Sequence, residues 1–328
     1  MLQIAIIGMG LVGTSLGMAL RSADEKEALL GPVTIVGYDK DPHAVTNARG
    51  RLAIDRPARN LEDALHEAQL VILAVPPQAL REVLATSAPL LPHGAVVTDV
   101  ASTKAQILEW VRELLPRTVD FIGGHPMAGK EQSGAAAADP KLFKGAVYCL
   151  TPTPLARPTA LELVDAMVQQ IGAKPYYIDP VEHDSYVGGI SHLPFLLSTL
   201  LVEVTSRSPA WKEMAPLAAT GFRDMSRLAS GDVEMHHDIC MTNQAALTRW
   251  IDDMIALLLE VRSDIETSDS EKIQALFTHA REVREVWLAS RPNVRPGETD
   301  FENMGGVDVQ RPSLFGRFGS GRPPRSRR

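Results

Sequence analysis

Cysteine is nearly absent from this chain of 328 residues, which has two, Cys149 and Cys240. Two thiols cannot build a disulfide framework, and no CxxC or Cys/His spacing suggests a zinc site. The expectation is no metal and a reducing, cytoplasmic setting. Aromatic residues are scarce, at 5%, and a basic surplus is missing too. The formal net charge of −7 already includes six arginines and no acid in residues 311–328, so residues 1–310 sum to −13. An acidic body lacks the electrostatic footprint of a nucleic-acid binder. Charge of either sign is absent from the first twenty residues, MLQIAIIGMGLVGTSLGMAL. That run superficially resembles a signal peptide or a membrane span, but it has no basic n-region. Its glycines, Gly8, Gly10, Gly13 and Gly17, suit a tight strand-to-helix turn better than a lipid-facing helix.

What is present is the composition of a folded protein, 45% hydrophobic and 22% charged, in a length that suits two domains. Apolar β-branched runs fall at residues 3–7, 34–38, 70–74, 95–98, 120–123, 147–151 and 175–178. Helical patterns lie between them, at 42–49, 78–87, 104–115 and 159–171. Strands alternating with helices predict an α/β fold, a Rossmann-like doubly wound parallel sheet covered on both faces. Near Asp179 the strand signals stop. Residues 190–204, 245–265 and 270–287 read as helices, and Leu247, Trp250, Ile251, Met254, Leu258 and Val261 recur at helical spacing. The expected organisation is a dinucleotide-binding domain over 1–179, an all-α substrate or dimerisation domain over 180–290, and a tail over 291–328. The tail, rich in Pro, Gly, Ser and Arg, has the composition of a disordered segment. The apolar surface of the helical domain points to a homodimer formed through it, with a buried monomeric core as the alternative.

Gly8-Met9-Gly10-Leu11-Val12-Gly13 follows a strand and opens a helix, the context in which this spacing binds a dinucleotide. The first glycine permits the turn, the second lets a pyrophosphate approach, and the third packs helix on strand. Leu11 and Val12 then begin the helix whose free N–H groups face the phosphates. Asp39 ends the second strand, where a carboxylate accepts from the ribose diol and repels a 2′-phosphate, favouring NAD over NADP. Asp39 lies further from Gly13 than the usual spacing, across an insertion-like stretch, and Lys40 stands beside it. Val75 and Pro76 end a further strand and are candidates for the loop facing the cofactor.

Four segments interrupt apolar sequence with polar residues: TDVASTK (98–104), GGHPMAGKEQSG (123–134), GGISHLPF (188–195) and GFRDMSRLASGD (221–232). The first two follow strands, and ligands sit at the carboxyl ends of strands in open α/β sheets. His125 is suited to accept a proton near neutral pH, and satisfying a turn is its bland alternative. Ser102 could equally be a helix cap near Lys104, and Arg227 a solvated helix arginine. His183, His236 and His237 carry no motif and read as structural or surface residues.

The dinucleotide turn together with TDVAS, GGHPMAG, SHLP and GFRDMSRLA resembles the prephenate/arogenate dehydrogenase family of tyrosine biosynthesis, over residues 1–290. The resemblance implies an NAD-dependent oxidation of a ring hydroxyl coupled to loss of the ring carboxylate. It makes His125 the catalytic histidine and Ser102 its hydrogen-bonding neighbour on the nicotinamide side. Arg227 becomes the substrate-carboxylate arginine, with Ser191 and His192 in the substrate pocket. Asp224 and Glu131 position Arg227 or guard the entrance. Some members carry a histidine where this chain has Phe195, which leaves prephenate, arogenate or both as the substrate. A nucleotide-sensing protein is the non-enzyme alternative. The turn at residue 8 and the short tail also leave no room for a fused mutase segment or a regulatory domain.

Overall fold

A computed structural model of the chain describes residues 1–22, 28–129 and 132–290. Glu131 and the tail over 291–328 therefore lie outside the described residues. The chain begins with β1 (Leu2–Ile7), α1 (Leu11–Ser22), β2 (Val33–Tyr38), α2 (Pro42–Gly50), β3 (Arg56–Pro57) and α3 (Leu61–Leu65). It continues with β4 (Leu70–Leu73), α4 (Pro77–Ser87), β5 (Val96–Asp99), α5 (Ala105–Leu114) and β6 (Asp120–Pro126). Then come β7 (Val147–Pro152), α6 (Pro158–Gln170) and β8 (Lys174–Tyr177). The strands form one sheet in the order β3-β2-β1-β4-β5-β6-β7-β8.

Period-two alternation in β1 explains how both faces are buried. Ile4 and Ile6 join one core with Leu16, Ile35, Val164 and Met167. Ala5 and Ile7 join the other with Val36, Leu80, Leu84 and Ile107. Strands buried on both faces read as the continuous apolar runs seen in the sequence. The chain leaves β1 towards β2 on one side and returns to β4 on the other, so the crevice at the carboxyl ends of β1 and β4 is the topological switch point.

The expected parallel sheet needs one correction: β6 and β7 are antiparallel, with His125 opposite Cys149. A parallel neighbour requires a crossover, usually a helix. The connection from β6 to β7 has only a short 3-10 turn at Ala135–Ala137 among its described residues, so the chain returns antiparallel. The α6 crossover then restores parallel pairing of β7 with β8.

After β8 every described element is helical: α7 (Pro180–Val187), α8 (Leu193–Ser206), α9 (Trp211–Met214), α10 (Thr220–Ser226), α11 (Val233–Thr242), α12 (Gln244–Glu266) and α13 (Ser270–Ala289). A π turn at Gly188–His192 joins α7 to α8. The Trp250 ring lies against Gly189, where an added Cβ would meet it at 2.7 Å, and its indole N–H donates to the Ser185 carbonyl at 2.8 Å. The Asn243 amide donates to the Asp184 carbonyl at 2.8 Å. These two side chains from α12 and its N-cap take up carbonyls around the wider turn, which keeps it from being a liability.

The helices are tied to the sheet domain at its carboxyl edge. The Asp184 carboxylate accepts from the N–H groups of Lys104 and Ala105 at the start of α5, at 2.8 and 2.9 Å. Asp238 on α11 accepts from the Gln78 N–H at the start of α4 at 3.1 Å. Thr103 donates to Thr242 at 2.8 Å. Two helices of the first domain are thus N-capped by carboxylates of the second, which favourably place negative charge at their positive ends.

Candidate active site

The glycine turn sits at the switch point. Gly8 has φ +99°, and an added Cβ would meet the Ala74 carbonyl oxygen at 2.3 Å. Gly13 packs so closely that its Cβ would lie 2.0 Å from the Gly8 carbonyl oxygen. At Gly10, by contrast, nothing lies within 4 Å of an added Cβ. That is the open approach a pyrophosphate requires, and the first turn of α1, with Leu11 and Val12, holds no acid to oppose it. Asp39 reaches back to the turn, its carboxylate accepting from the Met9 N–H at 2.7 Å and the Asp41 N–H at 2.9 Å. Val75 flanks Gly8 from the end of β4, with Cγ1 3.0 Å from the position of an added Cβ, and exposed Pro76 precedes α4. The residues present therefore fit a dinucleotide, with Asp39 half-buried beside its turn.

Three strands along the same edge, β6 carries His125 near its carboxyl end, buried. Behind it lies a charged pair. Lys104 and Asp99 are fully buried and ion-paired. The Lys104 ammonium also donates to the Gly124 carbonyl at 2.6 Å, and Asp99 accepts from the Gly124 N–H at 3.0 Å and the Ala101 N–H at 3.0 Å. The pair clamps the ends of β5 and β6 together, its charges matched and hydrogen-bonded to backbone, the condition under which a buried pair is tolerated.

His125 Nδ1 lies 2.9 Å from His183 Nε2, and His183 Nδ1 lies 2.8 Å from the Asp184 carboxylate. All three side chains are buried. Burial holds the His125 imidazolium well below the ordinary histidine range, helped by the neighbouring His183, Lys104 and His192. A neutral ring is thereby ready to accept a proton. His192, on the π turn, accepts from the Asn243 amide through Nδ1 at 3.0 Å, which leaves its other nitrogen as a donor when the ring is neutral. Burial lowers its pKa to about 4.

The remaining expected residues are placed less directly. Ser102 is half-buried on the β5–α5 loop and makes no hydrogen bond to His125 among the described residues. Nor does it cap α5, whose N-cap position falls at Lys104 and whose N–H groups are taken by Asp184. Ser191 is exposed. Arg227 is exposed at the start of a 3-10 turn, Arg227–Ser230, that docks on α8 through the Ala229 N–H donating to Ser198 at 3.0 Å. Asp224 forms its ion pair with its neighbour Arg223 at 3.1 Å, both exposed, rather than with Arg227. Phe195 is buried and stacked face to face on His236, with centroids 4.1 Å apart and planes at 2°.

Sequence reasoning gave no role to His183 and Asp184, which the structure places in series with His125. His183 is neither on the surface nor isolated, and no spacing rule links it to His125, 58 residues upstream. The available signal was a His-Asp pair in the short helix PVEHDSYV, Pro180–Val187. Lys104 and Asp99 lay within a segment flagged as polar, but no ion pair was foreseen.

Two family models match the chain: "Prephenate dehydrogenase, nucleotide-binding domain" over residues 28–177 and "Prephenate dehydrogenase, dimerization domain" over residues 179–279. Prephenate dehydrogenase of Bacillus subtilis is 32% identical over 289 residues, which are 86% of this chain and 75% of that protein. The solved prephenate dehydrogenase of A. aeolicus, in complex with hydroxyphenyl propionate and NAD+, is 27% identical with a TM-score of 0.79, covering 87% of this chain and 98% of that one. The Synechocystis arogenate dehydrogenase structure is 30% identical with a TM-score of 0.74, covering 87% and 100%. With a glycine turn at the switch point, a buried histidine at the end of β6 and matches of this extent, the chain belongs to the prephenate dehydrogenase family.

Proposed function

We propose that this chain oxidises and decarboxylates prephenate to 4-hydroxyphenylpyruvate with NAD. The observation that carries the reading is His125: a buried imidazole, kept neutral, on the strand end of a dinucleotide-binding sheet. When bound, NAD accepts the hydride that leaves the ring carbon bearing the hydroxyl. Gly8, Gly10, Leu11, Val12, Gly13, Val75 and Pro76 would hold the dinucleotide, with Asp39 at the ribose. A carboxylate there disfavours the 2′-phosphate of NADP.

His125 takes the hydroxyl proton as the ring carbon becomes a carbonyl. The carbonyl gives the bond to the departing carboxylate an electron sink. Carbon dioxide leaves, its bonding pair flows through the ring to the oxygen, and the proton returns from His125 to the new phenol. The balance needs no further acid and no metal. Arg227, His192 and Ser191 would recognise the anionic groups of the substrate, with Ser102 on the nicotinamide side and Glu131 and Asp224 at the rim. A guanidinium fork suits a carboxylate.

The helical domain supplies the second half of the proposal, a homodimer. Leu200 and Val204 on α8, Leu258 and Ile265 on α12, and Phe277 and Val286 on α13 are exposed in the single chain. So large an apolar surface is what a subunit interface would cover. Both cysteines are unpaired, which supports a cytoplasmic enzyme. The test of the reaction is NAD reduction by the purified protein with prephenate and arogenate in parallel. Turnover with prephenate supports the proposal, turnover with arogenate alone moves the specificity, and silence with both overturns it. Light scattering on the same sample should give a dimer mass.

A further inference from the structure

The His183–Asp184 pair has no part in the reaction as described so far, yet both side chains are buried and lie in series behind His125. We propose that His183, oriented by Asp184, is a positioning residue that selects the tautomer of His125. This rests on the reading of His125 as the proton acceptor. A carboxylate only accepts hydrogen bonds, so the proton between His183 and Asp184 belongs to Nδ1 of His183. In the neutral ring Nε2 of His183 then keeps its lone pair. The 2.9 Å contact to His125 therefore has the His125 Nδ1–H as its donor. That leaves the lone pair of His125 on Nε2, the nitrogen that takes no hydrogen bond among the described residues. Without the relay, the two tautomers of an imidazole compete, and the wrong one presents N–H where a base is needed.

Asp184 is held just as firmly. Its carboxylate also accepts from the N–H groups of Lys104 and Ala105, so it cannot rotate away without uncapping α5. The orientation of His125 is thus referred to the helix that follows β5, and through it to the sheet edge. His183 receives no proton in the reaction and takes no part in bond making; the hydroxyl proton passes to Nε2 of His125 and returns from it.

The direct test is nitrogen NMR of the histidine-labelled protein, with the His125 resonances identified by their loss in His125→Asn. The expected result is a neutral His125 protonated at Nδ1 and bare at Nε2. Protonation at Nε2 instead overturns the proposal, whether or not any variant folds. Kinetics supply the second arm. His183→Leu should lower kcat by about 10²-fold, with KM for the substrate and NAD affinity changed little. His183→Gln can accept through its oxygen and donate through its nitrogen, and should recover turnover to within about tenfold of the native rate. Adding His183→Leu to His125→Asn should cost nothing more, because the two act as a unit. Native turnover in His183→Leu, or fully additive losses, would overturn the relay. His125→Asn separates the two readings. If it retains native turnover, the proton acceptor itself is misassigned; if it is inactive while His183→Leu is not, only the relay fails.

Discussion

At the residue scale, the chemistry rests on what burial does to one imidazole. His125 is kept from charging first by desolvation and then by the neighbouring His183, Lys104 and His192, so it is in its accepting form at neutral pH. His125→Asn should lower kcat by roughly 10²–10⁴-fold with NAD affinity preserved, read from initial rates and cofactor titration. Asp39 makes a different kind of claim. Its carboxylate braces the glycine turn through the Met9 N–H, so Asp39→Ala should weaken NAD and raise the relative use of NADP in side-by-side kinetics. An unchanged cofactor preference would contradict its role at the ribose. His125 and Asp39 could be singled out as candidates in the sequence because each stands at or near the end of a recognisable strand. His183 was not, because its meaning comes from a partner on another element. Asp224 was expected to position Arg227 or to guard the entrance, and in the structure its ion pair is with its own neighbour Arg223.

At the element scale, the alternation of strands and helices exposed the doubly wound sheet, since both-face burial writes itself as apolar runs. The antiparallel β7 was not legible, because direction depends on whether a crossover helix follows β6 and not on the strand's own residues. Nor was the capping of α5 and α4 by Asp184 and Asp238, since those carboxylates come from another domain. The buried Lys104–Asp99 pair predicts a large asymmetric response. Lys104→Met strands a buried carboxylate and should destabilise the fold by about 3–5 kcal/mol in denaturant titration. A loss below about 1 kcal/mol would mean that Asp99 is satisfied by its backbone donors alone. Gly13→Ala should be similarly unforgiving, because its Cβ would collide with the Gly8 carbonyl. Thermal melts should show destabilisation of about 1–3 kcal/mol or more, together with lost NAD binding.

At the scale of the whole molecule, two neutral buried histidines make stability depend on pH. An unfolded chain binds a proton at each near pH 6.5, whereas in the folded chain His192 waits until about 4 and His125 is lowered as well. Stability should therefore fall as pH drops below about 6.5, with His192 contributing up to about 3 kcal/mol of the loss by pH 4. Denaturant titrations at pH 7 and pH 5 should show the fall, and His192→Asn should flatten it. A pH-independent stability over that range would contradict the burial of these rings. The change from sheet to helices was legible as the point near Asp179 where strand signals stop. The way the helical domain closes on the sheet edge was not, because it is built from single contacts such as Thr103 to Thr242.

The central claim is that this molecule couples hydride loss from prephenate to NAD with proton acceptance by His125. Its most direct test is the appearance of reduced nicotinamide absorbance when the native protein and His125→Asn are each given NAD and prephenate. The account predicts steady turnover by the native protein and a loss of at least about 10²-fold in the variant, with NAD still bound. No reduction by the native protein, or equal rates from both, would contradict it.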